Sequence, residues 1–235
     1  MSKSKRQANF QIDNVDAYQP NVTPLRKAIE PFKPLTKSQE AFVNKLQTKD
    51  LNFCFGSAGS GKTYVAAALA AEALQNHRVA RIIVTRPAVE ADGEEMGFLP
   101  GELEEKFAPW FEPFRDALEE RLGSGTVDYH LKRGNIIPSP LAYMRGKSFK
   151  DAWVIMDEAQ NSTPGQMKMF LTRMGQDCRM TILGDVKQTD IQGVNGMQDA
   201  INKLKDLPEV GFHEFFIEDC VRHGIVKKIL ERYER

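Results

Sequence analysis

Short apolar runs alternate with amphipathic stretches along most of this 235-residue chain. The runs lie at 51–55, 80–85, 135–139, 152–156, 179–183 and 211–217. Stretches with apolar residues every three to four positions lie at about 36–48, 64–74, 102–122, 164–175 and 195–207, and a basic helix follows 224. Such spacing predicts helices between strands. Because that alternation favours a parallel sheet covered on both faces, the pattern predicts an α/β fold with a mostly parallel sheet.

The two ends of this pattern set the predicted domain boundaries. Residues 1–34 are polar and rich in proline, so we predict an extended amino-terminal arm there. The basic residues at its start could contact phosphates, but a frayed chain end explains them better. Residues 35–235 are predicted to form a single domain. Within it, 123–134 lies between glycines and is predicted to be a turn-rich excursion.

A glycine-rich loop, GSAGSGKT at 56–63, stands between the first strand and an alanine-rich helix. Glycines let backbone N–H groups approach phosphates, and a helix start adds free donors and partial positive charge. We therefore expect Lys62 to reach the β- and γ-phosphates and Thr63 to bind Mg²⁺. The whole loop is the candidate phosphate cradle, made of Gly56, Ser57, Ala58, Gly59, Ser60, Gly61, Lys62 and Thr63. A plain glycine turn is the alternative; a dinucleotide loop needs a different spacing, G-x-G-x-x-G.

A second motif ends the apolar run 152–156 in two acids, Asp157 and Glu158. A carboxylate at the carboxyl end of a strand can hold Mg²⁺, which assigns that role to Asp157. The neighbouring Glu158 could polarise an attacking water. The order of loop, intervening strand and acidic pair favours a nucleoside-triphosphate site over a chance match.

Three polar side chains near these motifs can each be interpreted in two ways, as nucleotide-binding residues or as structural or surface residues. Gln39 fits a helix-capping box with Thr36, and its amide could also recognise an adenine edge. Gln188 follows a strand and could sense the γ-phosphate, or it could simply belong to a turn. Arg222 could stabilise charge on that phosphate, although a lone arginine between elements is more often a surface residue.

Two further segments carry charged or aromatic side chains. The segment 141–147 holds Tyr143 and Arg145, which could stack a base and hold a phosphate, or could be a packed tyrosine beside surface cations. The acidic segment 90–105 offers carboxylates, but a solvated loop leading into a helix explains most of them.

Composition narrows the classes of function only slightly. Lysine plus arginine and aspartate plus glutamate are both 32, so a nucleic-acid surface would have to be a local patch. Three widely spaced cysteines show neither metal spacing nor a disulfide framework. No apolar run is long enough for a membrane span and the start lacks a signal core, so we expect a cytoplasmic protein.

Taken together, the motifs resemble those of PhoH-like ATPases, whose core resembles the first RecA-like domain of superfamily 1 helicases. The resemblance rests on GSAGSGKT at 56–63, TRPAVE at 85–90, GFLPG at 97–101, PLAYMRG at 140–146, VIMDEAQN at 154–161, TILGDVKQ at 181–188 and VRH at 221–223. It implies a three-layer RecA-like P-loop core. It also implies that Gln39 recognises adenine, Gln188 is the sensor glutamine, Arg222 is the family's terminal arginine, and Arg86 joins Tyr143 and Arg145 as nucleic-acid candidates.

The function implied is Mg²⁺-dependent ATP hydrolysis coupled to binding or remodelling of a nucleic acid, foremost RNA, with helicase activity as a further expectation. From the number of residues after the sheet, we expect no second RecA-like domain. The site must therefore be completed by its own carboxyl-terminal segment or by a neighbouring subunit, and we expect a homo-oligomeric ring, a hexamer by analogy, sharing Arg222. The alternatives are a small-molecule P-loop kinase and a non-catalytic nucleotide-binding assembly factor.

Overall fold

A computed structural model describes residues 30–87, 103–186, 188–191 and 193–233. Most of the predicted arm, most of the acidic segment and the GFLPG motif lie outside these ranges. None of the helices in the described ranges has the length and apolar character that crossing a membrane would need.

A six-stranded sheet forms the centre of the fold. Its strands are β1 (Leu51–Gly56), β2 (Arg81–Thr85), β3 (Ile136–Pro138), β4 (Ala152–Met156), β5 (Cys178–Leu183) and β6 (Val210–Phe215). Their order across the sheet is β3-β2-β4-β5-β1-β6, and every neighbouring pair is parallel. The predicted α/β fold is therefore confirmed, and the sheet is parallel throughout the described strands.

The helices cover both faces of this sheet. They are α1 (Lys37–Thr48), α2 (Lys62–Gln75), α3 (Leu103–Leu122), α4 (Ser124–Arg133), α5 (Pro164–Leu171), α6 (Gly196–Leu204) and α7 (Gly224–Tyr233). Because side chains alternate along a strand, Cys54 and Ile155 join the core under α1, α2 and α3, while Phe53 and Val154 join the core under α5 and α6. The sheet is thus the middle of three layers.

Two predicted elements differ most from the structure. The turn-rich excursion predicted at 123–134 is wrong, because α4 occupies it. Val127 is fully buried there, and Gly134 adopts the left-handed conformation that closes a helix. The helix predicted to reach 175 ends at Leu171, because the chain after it turns back to Phe149, whose N–H donates to Arg173 O at 2.9 Å.

Gly56 offers a direct test of how closely β1 approaches β6. Its φ is +106°, and a methyl group there would lie 1.9 Å from Phe215 O, so Gly56→Ala forces two backbones apart. We expect a loss of about 3 kcal/mol in the free energy of unfolding. Gly134→Ala is the control, because it has a φ of +69° with open space around it, and should lose only about 1 kcal/mol. Urea unfolding measures both, and equal losses would contradict the predicted clash.

Candidate nucleotide-binding site

The glycine-rich loop connects β1 to α2 and wraps around a lysine. Lys62 Nζ lies 2.6 Å from Gly56 O and 2.9 Å from Ser57 O, so the ammonium sits inside the loop. Ser60 Oγ donates to Ser57 O at 3.1 Å, and Ser57 N–H donates to Phe215 O at 3.1 Å. The loop is therefore held by its own groups and by β6. Since α2 begins at Lys62 with no side-chain cap, its first N–H groups remain free to face an anion.

The order of the strands brings three carboxylates towards this lysine. Asp157 and Glu158 follow β4, and Asp185 follows β5, which lies between β4 and β1. Burial lowers the pKa of Lys62, while the charges of Asp185, Asp157 and Glu158 act to raise it. The sequence interpretation assigned Asp185 no role. The signal that could have found it is the one that found Asp157, an acid directly after a buried strand.

Asp157 is held in an environment that disfavours its charge. Burial and the neighbouring Glu158 raise its pKa to about 6, against the opposing effects of the Glu158 N–H, Arg86 and Lys62. A carboxyl group in this state gains from any cation placed beside it, because the cation restores the ionised form. Asp157 is thus suited to bind a metal ion.

Gln160 is a second site residue that the sequence interpretation missed. Its side chain is 2% exposed, and its Nε2 donates to Glu158 Oε2 at 2.5 Å. Its Oε1 accepts from the Asp185 N–H at 3.0 Å. Gln160 thus ties the loop after β4 to the loop after β5 and fixes the orientation of Glu158. The signal was a polar residue two positions after the acidic pair.

Gln188 lies at the edge of this cluster. Its N–H donates to Asp185 O at 3.0 Å, closing a turn, and its side chain is exposed. The amide that contacts Glu158 belongs to Gln160, so a sensor role for Gln188 stays a prediction.

Gln39 connects α1 to the phosphate loop. Thr36 Oγ1 accepts from the Gln39 N–H at 3.1 Å, as in half of a capping box. The Gln39 amide itself accepts from the Leu35 N–H at 2.8 Å and donates to Ser60 O at 2.9 Å. A methyl group at Gly61 would come within 2.9 Å of Gln39 Nε2, so this glutamine packs directly on the loop. The Gln39 amide has one further donor position and one further acceptor position, which are the two that an adenine edge would need. Recognition of adenine by Gln39 stays a prediction.

A cavity of about 510 Å³ lies next to Gly61 and Gln39. Its volume is within the range of small-ligand sites. The residues that line it are Glu30, Pro31, Phe32, Lys33, Leu35, Gln39, Gly61, Tyr64, Glu120, Arg121 and Val221. The cavity therefore adjoins the phosphate loop on the side of α1 and α2.

The carboxyl-terminal segment also packs on the loop, and its Val221 lines the same cavity. Val221 N–H donates to Gly59 O at 3.0 Å. A methyl group at Gly59 would lie 3.0 Å from Cys220 Sγ and 3.1 Å from Arg222 Cδ. Arg222 is exposed and its stem packs on the loop of its own chain, as expected if that segment completes the site. An oligomeric ring that shares Arg222 stays a prediction.

The three nucleic-acid candidates follow two neighbouring strands. Arg86 comes directly after β2, and its carbonyl accepts from the Leu141 N–H at 3.3 Å, at the start of a 3-10 helix after β3. Tyr143, 53% exposed, and Arg145, also exposed, belong to this same segment. Since the charge of Arg86 also acts on Asp157, this arginine links the exposed segment to the acidic pair.

Residues 31–234 match the protein family described as "PhoH-like protein". The chain belongs to this family. It is 46% identical to a PhoH-like protein of Synechocystis over 202 residues, which are 85% of this chain and 61% of the relative. It is 48% identical to a PhoH-like protein of Bacillus subtilis, with 85% and 63% covered, and 45% identical to Protein PhoH of Escherichia coli, with 86% and 58% covered. The chain thus spans about three-fifths of the length of these relatives.

Among solved structures, the helicase domain of Pyrococcus furiosus Hef aligns with 75% of this chain and 37% of its own, at 12% identity and a TM-score of 0.44. A similarity at this level bears on neither substrate nor activity. The family membership and the phosphate loop together make the site a nucleotide-binding site of the P-loop type.

The raised pKa of Asp157 predicts a pH-dependent cost to stability. The unfolded chain releases this proton near pH 4, whereas the folded protein holds it to about pH 6. Between these values the folded state binds more protons, so this group's contribution falls as the pH rises. We therefore expect Asp157→Asn to be more stable than the wild type at pH 7.5 and no more stable at pH 4. Urea unfolding at the two pH values measures this, and a gain of equal size at both would contradict it.

Proposed function

We propose that this protein hydrolyses ATP with the help of Mg²⁺. The observation that carries the proposal is the approach of Lys62 to Asp157, Glu158 and Asp185 at the carboxyl ends of β1, β4 and β5. A buried cation within electrostatic reach of three carboxylates, at the start of a helix, suits a triphosphate accompanied by a divalent ion.

The side chains available to a metal ion fit Mg²⁺. In the described ranges, no group of three or more histidine, cysteine, aspartate or glutamate side chains could hold a metal ion. The residues that would hold the ion are Thr63, the second residue of α2, through its hydroxyl, and Asp157, directly after β4, through its carboxylate. Mg²⁺ characteristically uses few protein oxygens and completes its shell with water and phosphate. When bound, the ion would neutralise charge on the phosphates.

The remaining roles are part of the same proposal. Lys62 holds the β- and γ-phosphates at the centre of the loop. Glu158, oriented by Gln160, polarises the attacking water, and Gln188 is assigned to sensing the γ-phosphate. Arg222, whose stem packs on the loop at Gly59, supplies positive charge.

Removal of the lysine or of the polarising acid tests the hydrolysis itself. We expect Lys62→Ala and Glu158→Gln each to lower kcat by at least about 100-fold, because each removes a group that acts on the reacting phosphate or water. Glu158→Gln should still bind ATP. Phosphate release and ATP binding are the measurements, with Lys168→Ala and Glu214→Gln as controls on exposed side chains.

Three outcomes would contradict the assignment of these roles. The first is full turnover in both variants. The second is transfer of the phosphoryl group to a small acceptor instead of water, as in a kinase. The third is tight ATP binding by the wild type with no turnover, as in a non-catalytic assembly factor.

We also propose that hydrolysis is coupled to single-stranded nucleic acid, foremost RNA, through the segment of Tyr143 and Arg145. An exposed ring beside a cation can stack a base and hold a phosphate. Arg86 supports the coupling, since it contacts this segment through its carbonyl and acts on Asp157 through its charge. Remodelling of RNA by a homo-oligomeric ring, in the cytoplasm, remains the broader proposal.

Tyr143→Ala tests this surface. We expect about a tenfold loss in affinity for single-stranded RNA, because one stacked base contributes about 1–3 kcal/mol. Stimulation of the ATPase by RNA should fall with it, and both should weaken as salt rises. Tyr129→Ala is the control, since that ring on α4 is 54% exposed. Equal losses in the two variants, or no stimulation by RNA or DNA in the wild type, would contradict the proposal.

A further inference from the structure

An acidic residue is buried in the middle of the most apolar helix of the fold. Glu72 on α2 is 9% exposed, and its helix neighbours from Val65 to Leu74 are buried, most of them alanine. A carboxylate in such a place costs several kcal/mol unless charged or hydrogen-bonding partners compensate it. The sequence motifs give this acid no role, because it lies ten residues after Lys62 and away from the phosphates.

The partners of Glu72 belong to two other parts of the chain. Arg121, near the end of α3, places Nη2 at 2.6 Å from Glu72 Oε1. The Phe32 N–H donates to the same oxygen at 2.5 Å, and Arg121 Nη2 also donates to Glu30 O. The buried pair therefore holds the backbone of residues 30–35, which we call the strap. The other end of the strap is fixed where the Leu35 N–H donates to Gln39 Oε1.

The strap is one wall of the cavity beside the phosphate loop. Phe32 and Leu35 line this cavity from the strap, and Tyr64 and Val221 line it from α2 and the carboxyl-terminal segment. The rings of Phe32 and Tyr64 lie 6.0 Å apart, and Tyr64 OH donates to Glu120 Oε1 at 2.8 Å. Gly61, the residue before Lys62, also lines this cavity, as does Gln39, which donates to Ser60 O of the loop. A triphosphate held by the loop would therefore have this cavity beside it for its nucleoside.

We propose that Glu72 and Arg121 are positioning residues for the nucleoside. By fixing the strap, they set the affinity for the base and ribose while leaving the phosphate cradle unchanged. A hydrophobic pair of the same volume would serve stability equally well, so stability alone does not account for an ion pair here. The contacts to the strap do explain the ion pair, because the Glu30 carbonyl needs a donor, which Arg121 supplies, and the Phe32 N–H needs an acceptor, which Glu72 supplies. This inference rests on the proposed binding of ATP.

The test compares two ligands that differ in the nucleoside. Titration calorimetry of the full chain with Mg²⁺ measures the Kd for ATP and for inorganic tripolyphosphate. We expect Arg121→Met to raise the Kd for ATP about tenfold, the effect of losing one charge-assisted hydrogen bond, and to change the Kd for tripolyphosphate less than twofold. Arg115→Met is the matched control on the same helix. Neither Arg115 nor its partners Glu119 and Asp128 line the cavity, so it should change neither Kd.

Two more variants keep the test informative if Arg121→Met does not fold. Phe32→Ala removes a wall side chain that is only partly buried, and it should weaken ATP and not tripolyphosphate. Arg121→Lys keeps a donor and should recover part of the affinity for ATP.

The outcomes separate this inference from the proposed function. Equal losses for both ligands in Arg121→Met and Phe32→Ala, or no loss for either, would overturn the positioning role while ATP binding stands. A wild-type protein that binds neither ligand would overturn the proposed function, and the inference would fall with it.

Discussion

The insertion of β5 between β4 and β1 is the constraint on which the site depends. Parallel strands deliver their carboxyl ends to one edge of the sheet, and the loop, the acidic pair and Asp185 all follow strands of this set. Because β5 lies between β4 and β1, the residues that follow it, Asp185 among them, leave the sheet between the loop and the acidic pair. The Gln160 amide then joins the two acidic loops into one rigid unit.

The electrostatics of this edge of the sheet favour a ligand that has a negative part beside Lys62 and a positive part beside Asp157. Burial works against the charge on Lys62 and against the charge on Asp157 at the same time. A phosphate chain favours the protonated lysine, and a divalent cation favours the ionised carboxyl group. The same burial that costs stability in the protein alone would therefore favour the metal-bound polyphosphate that we propose as the ligand.

The phosphate loop is also contacted from both ends of the described chain. Gln39 and the strap approach it from the amino-terminal side, and the segment of Val221 and Arg222 approaches it from the carboxyl-terminal side. Any movement of either segment must alter the walls of the adjoining cavity. The loop is thus a point where α1, α3 and the carboxyl-terminal segment can influence nucleotide binding together.

The sequence by itself determined the strands, the phosphate loop and the acidic pair, because each rests on local order: periodic burial, glycine spacing, and acids directly after a strand. The prediction for 123–134 was wrong, because the glycines at both ends indicated turns. The structure has α4 there, with Val127 buried against the core. Only the tertiary structure decided that Gln160 orients Glu158, that Gln39 contacts Ser60, and that Glu72 pairs with Arg121. Partners such as Glu72 and Arg121, 49 residues apart, meet only through the packing of whole helices, which no local pattern records.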